Sequence, residues 1–159
     1  RDDLLEYLDN EGLLCDSSLE RRDVIYARVS SNEQKTKGDL DRQAMYLIEH
    51  VDNLINPLVL KEVGSGLDDK RKKLIELINL VCNDQVRNVY VTYKDRLTRF
   101  GFNYLSEMFK AHNVEIIVVK DINEENDVKE ELVEDMMSLI ASFSGKLYVM
   151  RSKTNKGRK

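Results

Sequence analysis

From Val24 onward the sequence predicts an α/β domain of three layers, helices on both faces of a mainly parallel sheet of four to five strands, ending in a long C-terminal helix. Short runs rich in β-branched and aromatic residues alternate with longer stretches of helical periodicity, the pattern of parallel strands joined by crossover helices. The joining segments are short, as in a compact body. The final apolar periodicity is the longest in the chain, and no internal repeat competes with this reading.

The strands are expected at Val24 to Val29, Leu58 to Val63, Asn88 to Tyr93 and Glu115 to Val119. Between the first two, Leu40, Ala44, Leu47, Ile48, Val51 and Leu54 recur at helical spacing. Asp39, following Gly38, is the expected N-cap, and Pro57 stops the chain before the second strand. Ser31 to Gly38 is polar and reads as a flexible piece. A second helix is expected from about Arg71 to Val81, burying Leu74, Ile75, Leu77, Ile78 and Val81, and a third over Phe102 to Ala111. The last runs from about Val128 to Tyr148, with Leu132, Met136, Leu139, Ile140, Phe143 and Leu147 on one side. That stripe is too long for a small domain to cover, so its distal part is expected to form a dimer surface.

At 159 residues, 34% of them charged, the chain fits one domain with flanks: residues 1–22 as a linker, 23–147 as the folded body and 148–159 as a basic tail. The absence of a bilayer-length apolar run and of a secretory leader predicts a cytoplasmic protein. Cys15 and Cys82 suggest neither a metal site nor a disulfide framework, and Cys82 is expected in the core. His50 and His112 stand alone and receive no role. The net charge of -4 is unevenly spread: residues 146–159 hold six basic residues and no acid, whereas residues 121–135 hold eight carboxylates. The basic end is therefore the better candidate for touching nucleic acid.

The chemistry concentrates at Tyr26-Ala27-Arg28-Val29-Ser30-Ser31. Alternate strand residues share a face, so Arg28 and Ser30 can enter one site while Ser31 points away. Asp95-Arg96-Leu97-Thr98-Arg99 follows another apolar strand, and Arg71 lies just past Gly64-Ser65-Gly66. Singly, each arginine is an ordinary surface charge and Ser30 an ordinary strand-end serine. Four arginines around one serine point instead to phosphate, whose geometry guanidinium forks match. The carboxylates show no metal-ligand spacing, so no metal and no cofactor is expected. Gly64-Ser65-Gly66 lacks both a P-loop ending and a dinucleotide fingerprint.

Taken in order, Tyr26 to Ser30, Gln34, Asp41-Arg42-Gln43, Ser65-Gly66 with Arg71, and Asp95 to Arg99 resemble the catalytic domain of the serine recombinases, the resolvase, invertase and transposase family. The resemblance covers about Val24 to Lys146. It implies a resolvase-like fold in which Ser30 attacks a DNA phosphate, freeing a 3′ hydroxyl and leaving a 5′-phosphoserine that is resealed without ATP. It further implies that Arg28, Arg71, Arg96 and Arg99 clamp the phosphate, Asp95 orients its neighbouring arginines, Arg96 protonates the leaving oxygen, and Gln34 and Ser65 support the site. Arg42 is expected to meet an Asp or a phosphate.

The implied partners are double-stranded DNA and further copies of the chain, a homodimer pairing into a synaptic tetramer. The linker-like start and the short basic end favour an insertion-sequence transposase with its DNA-binding domain placed first. One departure is that Phe143-Ser144-Gly145-Lys146 stands where many members carry glutamate then arginine. The alternative reading is a non-catalytic α/β dimerisation or regulatory module.

Overall fold

Four parallel strands lie side by side in the order β2-β1-β3-β4: β1 (Arg22–Val29), β2 (Leu58–Val63), β3 (Val86–Val91) and β4 (Glu115–Val118). The computed structural model describes residues 21–30 and 33–157, with side chains over 21–30 and 38–151. The crossovers are α1 (Glu33–His50), α2 (Lys72–Cys82) and α3 (Phe102–Ala111), with a 3-10 turn, η1 (Lys94–Arg96), after β3. These belong to a unit ending at Asp121, and a second unit from Ile122 holds a 3-10 turn (Ile122–Glu124) and α4 (Glu125–Gly157).

Side-chain alternation along β1 separates two apolar layers. Val24 and Tyr26 join Leu60, Val89 and Val91 beneath Leu77, Val81 and Phe109, contributed by α2 and α3. Ile25 and Tyr90 face Ala44 and Leu47 of α1 on the other side, where Ala27 and Val29 meet Leu40. Helices therefore cover both faces, as expected of a parallel sheet.

The strand order decides where a site can form. The chain moves outward from β1 to β2, then crosses back over β1 to β3. Connections leaving the carboxyl ends of β1 and β3 consequently diverge, which opens a crevice at this switch point. Pairing accentuates it: β1 follows β2 from Val24↔Leu58 to Val29↔Val63, but pairs with β3 only from Arg22↔Val86 to Ile25↔Tyr90.

Several local expectations are corrected. The first helix begins at Glu33, so Glu33 to Gly38 is helical and Asp39 lies inside the helix rather than capping it. A helical glycine costs roughly 1 kcal/mol relative to alanine, too little to stop a helix that buries Leu40, Ala44 and Leu47. The Asp39 carboxylate instead pairs with Arg42 at 3.2 Å. Ile75 is 44% exposed and Cys82 is also exposed, not core. Seven residues apart, they share the outer face of α2, while Leu77 and Val81 take the inner one. β3 begins and ends two residues early, because η1 starts at Lys94. The last helix is longer than expected at both ends and continues through residues read as a tail. Along it Met137, Ile140, Phe143 and Leu147 are exposed. Among the described residues no helix is long and apolar enough to cross a membrane.

The two faces of α2 give opposite mutational outcomes. Leu77→Ala, at a fully buried position, is expected to lower stability by about 2–5 kcal/mol. Ile75→Ala should change it by about 0.5 kcal/mol or less; urea unfolding midpoints measure both.

Candidate active site

At the carboxyl end of β1 the face that carries Val24 and Tyr26 next presents Arg28, and Ser30 follows one residue past the strand. Ser30 is partly exposed, whereas Arg28 is fully buried. A buried charge is tolerated only when its donors are satisfied. Arg28 Nε donates to the Arg96 carbonyl at 2.9 Å, Nη1 to the Gly64 carbonyl at 2.8 Å and Nη2 to the Asp95 carbonyl at 2.5 Å. The loops after β2 and β3 thus converge on one guanidinium.

The Arg28 backbone is held in an unusual way. Gly64 N–H donates to the Val29 carbonyl at 2.9 Å, so by strand alternation Arg28 turns its own N–H and C=O toward the β3 side, where pairing has already stopped. The Gln43 side chain of α1 fills that place, its Oε1 accepting from Arg28 N–H at 3.2 Å and its Nε2 donating to the Arg28 carbonyl at 2.9 Å. Gln43 is fully buried. One amide replaces a missing strand.

Arg71 occupies the N-cap position of α2 but offers that helix no side-chain cap. The cap comes from Glu62 of β2, whose carboxylate accepts Lys73 N–H and Leu74 N–H, each at 3.0 Å. Negative charge at a helix N-terminus is stabilising. Tyr26 Oη also donates to Glu62 Oε1 at 2.9 Å and accepts from Arg71 Nη1 at 3.1 Å. Arg71 further donates through Nε to the Asp68 carbonyl at 3.1 Å, through Nη1 to the Arg96 carbonyl at 3.4 Å, and through Nη2 to the Leu97 carbonyl. Arg28 and Arg71 therefore meet at the same carbonyl, that of Arg96. Burial raises the Tyr26 phenol well above its ordinary range; Glu62 adds to the rise, and the cations of Arg71 and Arg28 oppose it. The phenol stays protonated and bridges Arg71 to Glu62.

Arg99 Nη1 pairs with Asp95 Oδ2 at 2.6 Å, and Arg99 N–H donates to the Gly66 carbonyl at 3.0 Å. A Cβ at Gly66 would stand 3.3 Å from Arg28 Nη2 and 3.4 Å from Arg99 N, closer than most side chains allow. Glycine is what lets this loop approach both arginines. Ser65 Oγ accepts Leu67 N–H at 3.1 Å and so holds its own turn. Arg42 meets Asp39, as above. The Gln34 side chain lies outside the described residues.

The structure thus gathers Arg28, Arg71, Asp95 and Arg99, with the Arg96 backbone, around the crevice. It buries Arg96 beside them, and Ser30, directly after β1, is partly exposed. Two supports escaped the sequence reading. Glu62 was legible as a carboxylate at the inward parity of β2, in step with Leu58 and Leu60. Gln43 stood within Asp41-Arg42-Gln43, but its role depends on where the β1–β3 ladder ends, which no spacing reveals. Chemically, the cluster concentrates buried guanidiniums, groups whose forked donors match carboxylates and phosphates, and backbone carbonyls accept from those of Arg28 and Arg71.

The raised Tyr26 value has a measurable sign. Above about pH 10 the unfolded phenol releases its proton while the folded one keeps it, so stability should fall as pH rises from there. Tyr26→Phe should remove that part of the alkaline loss, measured by urea unfolding at several alkaline pH values.

Residues 24–159 match the family model of the resolvase N-terminal domain. A protein of Acanthamoeba polyphaga mimivirus named as a resolvase is 35% identical over 133 residues, covering 84% of this chain and 67% of that protein. A serine recombinase structure from Sulfolobus solfataricus superposes with a TM-score of 0.70 at 46% identity, over 82% of this chain and 88% of that one. The C-terminal catalytic domain of ISC1926 TnpA, an IS607-like serine recombinase, gives a TM-score of 0.70 at 47% identity, over 79% and 85% of the two chains. With its all-parallel sheet and the buried arginine cluster at the carboxyl ends of its central strands, the chain belongs to the resolvase family of serine recombinases, enzymes of DNA recombination.

Proposed function

We propose that this chain is the catalytic domain of an insertion-sequence transposase that cuts and rejoins double-stranded DNA through Ser30. The Ser30 Oγ forms a bond to the scissile phosphorus as the bond from phosphorus to the 3′ oxygen breaks. The serine proton passes to solvent, the departing oxygen takes one from Arg96, and solvent returns a proton to that guanidine, so that no net proton is consumed. The product is a 5′-phosphoserine and a free 3′ hydroxyl. Because the ester is conserved, reversal toward a new 3′ hydroxyl reseals the strand without ATP, and the guanidiniums supply the positive charge that a metal ion supplies elsewhere.

The observation that carries this reading is the convergence of Arg28 and Arg71 on the Arg96 carbonyl, at the end of the strand that Ser30 follows. In the described arrangement these donors are occupied by backbone carbonyls, so we read it as a resting state. A phosphate in the crevice takes over part of those hydrogen bonds, with Asp95 keeping Arg99 aimed and Gln34 and Ser65 supporting the surrounding loops. The exposed apolar side of α4 pairs two copies, and two such dimers form the synaptic tetramer. The residues before Arg21 then link a body that begins with β1 to a DNA-reading domain, and the basic residues from Lys146 onward, on α4, approach the DNA backbone. Engagement of Arg28 by three backbone carbonyls is also what a non-catalytic module would show, and this is the second reading.

Incubation of the full-length protein with its element ends, followed by protease-sensitive detection of 5′-linked DNA, separates the two. Ser30→Ala should abolish the adduct while leaving DNA binding intact. An adduct that survives the change, or a wild-type protein that binds the ends and never forms one, rules out the catalytic reading. Arg71→Lys should slow adduct formation by about 10²–10³-fold, the usual effect of losing one preorganised charge donor.

A further inference from the structure

A second feature adjoins the arginine cluster and has no part in it. Phe100 and Tyr104 stand at the start of α3, 60% and 85% exposed. They are held there: Thr98 Oγ1 donates to the Phe100 carbonyl at 2.7 Å, and Gly101, at φ 79°, turns the chain into the helix through a left-handed conformation. The Tyr104 ring lies beside that glycine, 3.8 Å from where its Cβ would stand. Exposed rings of this size on a fixed turn are poised to bury their faces against a partner.

The surroundings specify the partner's charge. On one side Phe100 and Tyr104 line a cavity of about 510 Å³ together with Lys94, Arg99, Phe102 and Asn103, with no carboxylate in its lining, whereas on the other they border a cavity that holds Asp68 and Asp69 beside Arg71; the cationic side is the one a phosphate backbone fits. Lys94 rests its ammonium 5.3 Å from the Phe102 ring centre, which keeps the cation at the cavity. Aromatic faces interleaved with cations and an amide suit nucleic acid, where rings meet bases and cations meet phosphates. Arg99 belongs both to this cavity and to the cluster around Gly66, so DNA that reaches one site lies beside the other.

Recombination requires the stacked base pairs at a cut to part before strands can join new partners. We infer that Phe100 and Tyr104 form an apolar wedge that enters a DNA groove next to the clamped phosphate and unstacks the base step where the strand is cut. Apolar side chains inserted between base steps act in this way in DNA-bending proteins. The inference rests on the phosphate-clamp reading above and assigns to the same site the opening of the duplex.

The test uses the full-length protein and duplexes carrying its element end, either matched or mismatched at the cut step. Phe100→Ala with Tyr104→Ala should slow 5′-adduct formation on the matched duplex about tenfold or more. A mismatch, which opens the step in advance, should restore the rate to near that of the wild type. Tyr104→Phe should keep the matched rate. Equal losses on both duplexes, no loss at all, or a loss accompanied by a changed oligomeric state in sedimentation would overturn the wedge; the last would assign the rings to a contact between copies. A readout independent of the nucleophile is 2-aminopurine, placed at successive steps of the end and bound by Ser30→Ala protein. Its fluorescence should rise at one step and fail to rise when both rings are also removed. If Ser30→Ala still forms an adduct, the nucleophile assignment fails while this signal continues to decide the wedge.

Discussion

Burial of the Arg28 guanidinium is the constraint around which the crevice is organised. A charge that cannot reach water must find acceptors, and the acceptors available are backbone carbonyls of the loops that follow β2 and β3. Satisfying one arginine therefore fixes the positions of two loops. Arg71 adds to the same arrangement by donating to the Arg96 and Leu97 carbonyls, and Gly66 permits it by offering no side chain. Charge burial, which usually costs stability, here sets the geometry of the site.

A second tier supports the first. Glu62 serves the start of α2, the Tyr26 phenol and, through that phenol, Arg71. Because the carboxylate sits on β2 and the phenol on β1, the strand pairing itself sets the distance between the helix and its arginine. Such networks are worth more together than singly, since each polar group left without its partner is costly in a dry interior. The adjoining aromatic turn at Phe100 and Tyr104 has the opposite character, with apolar surface held outward by a rigid backbone.

Much of this was legible from residue order. The alternation of short β-rich runs with helical periodicity gave the layers, and the parity of Val24, Tyr26 and Arg28 placed the arginine in line with the core residues of β1. The approach of Arg71, Asp95 and Arg99 to Arg28 followed from the family pattern. What stayed hidden depends on distances between elements. The carbonyls that bind Arg28 carry no side-chain signature, and Gln43 matters only because the β1–β3 ladder ends at Ile25↔Tyr90. The early start of α1 was missed because Gly38 and Asp39 resemble a helix boundary, although the buried residues beyond them are enough to hold the helix through a glycine. Ile75 and Cys82 were misplaced because an apolar run does not say which of its members face outward.

The Gln43 amide gives the end of β1 a mechanical property that the rest of the sheet lacks. Elsewhere a strand is released only when a whole ladder of neighbours separates, but at Arg28 the backbone N–H and C=O are met on the β3 side by a rotatable side chain. Local opening there has its own, lower free energy than disassembly of the sheet. The end of β1 is therefore tied on three sides by unlike means, a strand ladder to β2, a guanidinium to the loops and a helix amide as the latch where β3 has left.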